Sequence, residues 1–85
     1  MNNLIKKLYN NFIELNLLSM QFELLDKNHF PISFIFEKVS EVNYLKVIKK
    51  HYNKETMEKL ETIIYEGLNI NKLLEITEEY DEKEI

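Results

Sequence analysis

The sequence predicts a mainly α-helical domain, a small antiparallel bundle of about four helices. Apolar residues recur at spacings of three and four along most of the chain, as they do on one face of a helix. The chain has only one Gly and one Pro, so helix-breaking residues are scarce. Its 85 residues, 45% hydrophobic and 31% charged, suffice for one modest core. We therefore expect a single domain over residues 1–85, with residues 81–85 as a frayed acidic tail.

The first predicted helix spans residues 3–26. One apolar stripe begins with Leu4 and Leu8, and a second begins with Ile5 and Tyr9. Two stripes make the helix apolar nearly all round, which is typical of a helix at the centre of a bundle or one covered by a partner.

The segment FPISFIF, residues 30–36, is open to two interpretations. Helical spacing puts Ile32, Ile35 and Phe36 on one face, continues the stripe to Tyr52, and leaves only Phe34 outside the pattern. The β-branched and aromatic composition instead favours a strand. A strand needs a partner for its backbone, and residues 20–25 alternate suitably. Periodicity favours the helix, and the alternative is an α+β fold with a short hairpin of residues 20–25 and 32–37.

The last third of the chain predicts two further helices. Asn53 is placed to cap a helix over residues 54–66, and Gly67 stands where a helix stop favours a left-handed residue. Asn69 or Asn71 then opens a short fourth helix. Its apolar residues are Ile70, Leu73, Leu74 and Tyr80.

Charge and composition limit the function classes. The net charge is −4, with residues 31–60 carrying six Lys against four Glu and residues 61–85 two Lys against eight acids. The absence of Cys indicates a reducing compartment, so we expect a cytoplasmic protein. No secretory signal or apolar run of about 18 residues is visible, so no membrane association is expected. The wealth of Lys, Asn and Ile is typical of an AT-rich genome, such as that of a phage, virus or other mobile element.

Enzymatic and metal chemistry are not indicated. The chain has no Cys nucleophile, no Gly-rich phosphate loop and no serine in a nucleophile elbow. Asp26 with His29, and His51 with Glu55, have ligand-like spacing, but neither pair belongs to a longer ligand motif. We predict no enzyme, no cofactor and no metal site.

Nucleic-acid binding through the basic centre, residues 46–59, is an alternative. Its cations are Lys46, Lys49, Lys50, Lys54 and Lys59. Every cation is Lys, so the Arg that reads bases through two hydrogen bonds is absent. Residues 58–80 have the outline of a helix-turn-helix, but the second helix is acidic and would be repelled by phosphates. Nucleic acid is therefore not the favoured partner.

Protein binding is the favoured function. If residues 32–52 form a helix, Phe34 and Tyr44 share a second face of it as exposed aromatics. Exposed aromatics are typical of the centre of an interface. The acidic end would steer a basic partner. The predicted partner-binding residues are Phe34, Tyr44, Glu75, Glu78, Glu79, Asp81 and Glu82. The hypothesis is a small acidic protein-binding module, most concretely a stoichiometric inhibitor or regulator; a further alternative is a purely structural homo-oligomer built on the first helix.

Overall fold

The computed structural model describes residues 1–80 and shows an antiparallel four-stranded sheet with one face covered by two helices. In chain order the elements are α1 (Asn2–Glu14), β1 (Ser19–Leu25), β2 (Pro31–Val39), β3 (Val42–Tyr52), β4 (Lys59–Gly67), α2 (Ile70–Thr77) and a 3-10 turn (Glu78–Tyr80). The strands lie in the order β1-β2-β3-β4. Strands make up 45% and helices 30% of the described residues, so the predicted helical bundle is wrong.

Strand β2 is where the helical interpretation fails. Burial alternates along it, with Ile32, Phe34 and Phe36 fully buried and the residues between them half-buried. Ile35 lies on the opposite face of the sheet from these three because side chains alternate along a strand. Ile35 on the second face makes the apolar residues follow helical spacing. The β-branched and aromatic composition of β2 nevertheless fits a strand that pairs on both sides.

Strands β1 and β2 contain the pairing that the sequence offered as the alternative. Met20 lies opposite Phe36, Phe22 opposite Phe34 and Leu24 opposite Ile32. The hairpin is part of a larger sheet, since β3 pairs with the other edge of β2 and β4 with β3.

Helix α1 is half as long as predicted. It ends at Glu14, and Asn16 adopts a left-handed conformation with φ of 51°. Asn tolerates this conformation better than most residues and commonly ends helices there. The chain then turns, and the apolar residues from Met20 onward enter β1 instead of extending the helix.

The predicted helix over residues 54–66 is also wrong. Asn53 does cap a turn, accepting hydrogen bonds from the backbone N–H groups of Glu55 and Thr56, but the chain continues into β4. One extra residue of β4 bulges between the pairs Val47–Tyr65 and Ile48–Ile63. The bulge reverses the alternation, so Ile63 and Tyr65 lie on opposite faces.

Gly67 ends a strand and not a helix. Its φ is not in the left-handed region, and a Cβ at this position would lie 2.7 Å from the Tyr65 hydroxyl oxygen. That hydroxyl accepts a hydrogen bond from the Asn69 backbone N–H at 3.0 Å, so the glycine makes room for a side chain that fixes the entry to α2. The Asn69 side chain then caps α2, accepting from the N–H groups of Asn71 and Lys72, which confirms the predicted fourth helix.

The core lies between the sheet and the two helices. Its buried residues are Ile5, Phe12, Ile32, Phe34, Phe36, Leu45, Val47, Leu73 and Leu74. The helices meet where the Asn2 side-chain amide donates to the Leu74 carbonyl and its oxygen accepts from the Thr77 hydroxyl. Within residues 1–80, no helix has the length and apolar character needed to cross a membrane.

Candidate functional site

The second face of the sheet is covered by no described element, and we refer to it as the open face. The strand registers place alternate residues of the four strands on it. Its central residues are Gln21, Glu23, Ser33, Ile35, Glu37, Tyr44, Lys46, Ile48, Lys50, Glu61, Ile63 and Glu66. A four-stranded sheet needs only one buried face to be stable, so this face is available for binding.

Three isoleucines form the apolar centre of the open face. Ile48 lies directly opposite Ile63 on β4, and Ile35 lies diagonally across from Ile48 on β2. Ile35 and Ile48 are half-buried and Ile63 is 52% exposed. These side chains project from a face that holds no helix, so their apolar surface meets solvent in the isolated chain.

The open face is concave beside these isoleucines. Two adjoining depressions, of about 430 and 420 Å³, share Glu23, Lys50 and Glu61 in their walls. Ile35 and Ile48 line the second depression. The twist of an antiparallel sheet accounts for such a hollow on an uncovered face. Both hollows are wide open, which suits an extended or convex surface better than an enclosed small molecule.

Lys46 and Lys50 are the cations next to the isoleucine row. Both are half-buried on β3, which lies between β2 and β4. Within residues 1–80, neither ammonium group lies within 4.0 Å of a carboxylate oxygen. Within residues 1–80 the site therefore presents two lysines without a close ion pair beside an apolar row, with Glu66 and Glu61 opposite them on β4.

Tyr44 lies on the open face, but its hydroxyl is engaged. It donates a hydrogen bond to a carboxylate oxygen of Glu66, which lies on the neighbouring strand β4. This hydrogen bond, together with the negative charges of Glu66 and Glu37, raises the pKa of Tyr44 to about 12. The hydroxyl is thus engaged as a donor within the sheet.

The prediction that Phe34 is an exposed interface residue is wrong. Phe34 is 0% exposed and stacks on Phe22 with 4.8 Å between ring centroids. Phe34 faces the helices, as do Ile32 and Phe36. Tyr44 lies opposite Glu37, an odd-numbered residue of β2, and therefore faces away from the helices. The two aromatics therefore do not share a surface.

Three of the predicted acidic residues lie apart from the open face. Glu75 is exposed on α2, and Glu78 and Glu79 are exposed in the turn that follows it, all within the helix layer. Asp81 and Glu82 lie outside the described residues. The structure does not bring Glu75, Glu78 or Glu79 together with Tyr44.

The basic centre is likewise divided. Lys46 and Lys50 belong to the open face, but Lys49 points to the helix side. There its ammonium group lies 3.6 Å from a carboxylate oxygen of Asp26 and 5.1 Å from the centroid of the Tyr80 ring. Glu61 lies directly opposite Lys50. A nucleic acid carries a negative phosphate at every nucleotide, so its backbone would meet Glu61 and Glu66 as well as the lysines. The arrangement therefore does not favour nucleic acid.

The histidines with ligand-like spacing do not form a metal centre in residues 1–80, where no group of three His, Asp or Glu side chains converges. The Asp26 carboxylate instead accepts the backbone N–H groups of Asn28 and Phe30, each at 2.8 Å. His29, in a left-handed conformation with φ of 65°, completes that turn. The pair is structural, since it closes the β1–β2 connection.

Sequence reasoning missed the isoleucine row. Helical spacing predicts Ile35 in a core stripe that continues to Tyr52, and it assigns no role to Ile63. The signal that identifies them is the two-residue period of β2, which assigns Ile35 to the face opposite Phe34 and Phe36. The bulge that turns Ile63 outward has no signal in one sequence.

No family model, curated protein or solved structure matches the chain.

Proposed function

We propose that the chain is a non-enzymatic protein-binding module that docks a partner protein on the open face of its sheet. The observation that carries this proposal is the row Ile35, Ile48 and Ile63, which lies uncovered beside Lys46 and Lys50. Apolar surface at the centre with charges around it is the usual anatomy of a protein interface.

The charges indicate the chemistry of the partner. Lys46 and Lys50 are half-buried without an ion pair in the described residues, so a partner that supplies carboxylates there would neutralise both. The partner surface we infer carries apolar side chains for the isoleucine row and one or two Asp or Glu residues for the lysines. Glu23 and Glu61 at the rim would disfavour partners with more acids than that.

Such a module acts stoichiometrically, because it offers a surface and no reacting group. An inhibitor or regulator encoded by a mobile element is the concrete form of the proposal, and a cytoplasmic location is part of it. The absence of Cys and the AT-rich amino-acid usage support these two points.

Site-specific photo-crosslinking tests the proposal. A photoreactive residue at Ile48 should capture one protein in cells of the source organism, and a photoreactive residue at Glu75, in the helix layer, should not capture it. The captured protein is then purified and titrated against the chain by calorimetry. We expect one-to-one binding.

Charge reversal on the open face provides the decisive comparison. The Lys46→Glu, Lys50→Glu double variant should weaken binding about tenfold or more, since it places two acids against the partner's carboxylates. Lys72→Glu, at an exposed position of α2, is the matched control and should leave the affinity unchanged. Equal affinity of the double variant and the unmodified chain, with both folded by circular dichroism, would overturn the proposal.

A further inference from the structure

Among residues 1–80, no strand pairs with the outer edge of β1. The Lys38 N–H donates to the Leu18 carbonyl and the Asp26 N–H to the Phe30 carbonyl, so even-numbered residues of β1 bond to β2. The N–H and C=O groups of Ser19, Gln21, Glu23 and Leu25 therefore point outward. No strand within residues 1–80 lies on this edge, and Lys27, just past its end, donates its N–H to Tyr80.

This edge lacks the features that usually prevent a sheet from pairing with another chain. The opposite edge strand, β4, has a bulge and the charged residues Lys59, Glu61 and Glu66. Strand β1 pairs with β2 in one continuous register, contains no proline and has Glu23 as its single charge. A regular edge of seven residues is a template for a further strand.

A leucine-rich surface flanks the same edge. Leu4 and Leu8 lie about 40° apart around the axis of α1, given about 100° per residue, and the C-cap residue Leu15 continues the same side. A hollow lined by Met1, Leu4, Leu24 and Leu25 shows that this side of α1 adjoins β1. Leu15 is 67% and Leu25 58% exposed, so the flank is apolar and uncovered in the single chain.

We propose that a second copy of the chain adds its β1 strand antiparallel to this edge, forming a dimer with one continuous eight-stranded sheet. The inference is independent of the proposed function, which uses the open face. The half-buried side chains of Met20, Phe22 and Leu24 would then meet their counterparts on the helix-covered face, which extends the apolar layer across the dimer axis.

The charges favour a register centred on Phe22 over one centred on Glu23. With the two-fold axis at Phe22, each Gln21 lies opposite the partner's Glu23, so an amide meets a carboxylate twice. An axis at Glu23 would place two carboxylates against each other, which is unfavourable. The register centred on Phe22 also sets Met20 opposite the partner's Leu24, so apolar side chains meet apolar side chains.

Charge variants at Gln21 test both the dimer and its register by sedimentation equilibrium. Gln21→Lys creates two attractive pairs with Glu23 and should tighten the dimer, whereas Gln21→Glu creates two repulsive pairs and should weaken it. Two cross-strand pairs change in each case, so the dissociation constant should shift by about 2- to 30-fold in opposite directions. Asn71→Lys and Asn71→Glu, at an exposed amide on α2, are the matched controls and should change nothing.

The unmodified chain should sediment with the mass of two copies at concentrations of about 1 mM or lower. A strict monomer at that concentration overturns the inference. A dimer whose dissociation constant responds equally to the two Gln21 variants overturns the register centred on Phe22. A dimer that responds equally to the Gln21 and Asn71 variants overturns β1 as the contact.

Discussion

Replacing Phe34 and its neighbour Ile35, one at a time, by alanine should give unequal losses of stability. Phe34 is 0% exposed and packs on Phe22 in the core, whereas Ile35 lies half-buried on the open face. A Phe→Ala change in a core costs about 3–5 kcal/mol, because the lost burial is compounded by a cavity. For Ile35, burial is partial and no enclosed cavity forms, so about 1 kcal/mol is expected from the area term alone.

The comparison is measurable because the domain is small. At about 0.05–0.15 kcal/mol per residue, a domain of this size has an unfolding free energy of roughly 4–13 kcal/mol. Urea unfolding followed by far-ultraviolet circular dichroism has a slope of about 1–3 kcal/mol per molar. Phe34→Ala should therefore lower the unfolding midpoint by about 1 M or more, and Ile35→Ala by a fraction of that.

A helical segment over residues 32–52 requires the reverse order, since helical spacing places Ile35 in the core and Phe34 on the surface. Equal losses, or a larger loss for Ile35→Ala, would refute the alternation on which the assignment of the open face rests.

Three further substitutions probe local features of the fold. Asp26→Ala removes an acceptor of two backbone N–H groups and should lower the unfolding free energy by about 2–5 kcal/mol, measured by urea unfolding. Asp26→Asn retains one side-chain oxygen, so it should lower the unfolding free energy by less. Gly67→Ala should displace the Tyr65 hydroxyl and lower the unfolding free energy by about 1 kcal/mol. The loss should shrink in a Tyr65→Phe background. An unchanged loss in that double-mutant cycle would contradict the contact. Glu66→Gln should return the pKa of Tyr44 from about 12 towards 10 in an ultraviolet titration, because the carboxylate that disfavours the phenolate is removed. Since the folded pKa is the higher one, the stability linked to Tyr44 is fully present below pH 10 and is lost as the pH rises through 12.

Local signals in the sequence located some elements correctly. The Asn69 cap and the buried pair Leu73 and Leu74 identify α2 because capping depends on adjacent residues only. The pairing of residues 20–25 with 32–37 could also be proposed, since each run alternates by itself. Both features are decided within a few residues.

The rest depends on contacts between distant residues. Strands β2 and β3 are joined by a tight turn at Ser40 and Glu41 without the usual Asn-Gly or Asp-Gly pair, and Ser40 takes a φ of 57°. Without that signal the apolar residues on either side merged into one apparent helical stripe. The open face requires the strand order and the β4 bulge, neither of which is encoded locally. The prediction for Tyr44 depended on a helical face shared with Phe34, whereas Tyr44 is half-buried and lies on the other face of the sheet from Phe34.

The contact between Asn2 and the end of α2 has a consequence for how the chain assembles. Every strand pairs with its neighbour in sequence, so the sheet forms through short connections with little loss of loop entropy. The bonds from Asn2 to Leu74 and Thr77 instead join residues separated by 72 and 75 positions. Closing so long a loop is favourable only once the sheet has already brought its ends together. We therefore expect the contact between the two helices to form after the sheet, so that the phenylalanines of the sheet are shielded from water last.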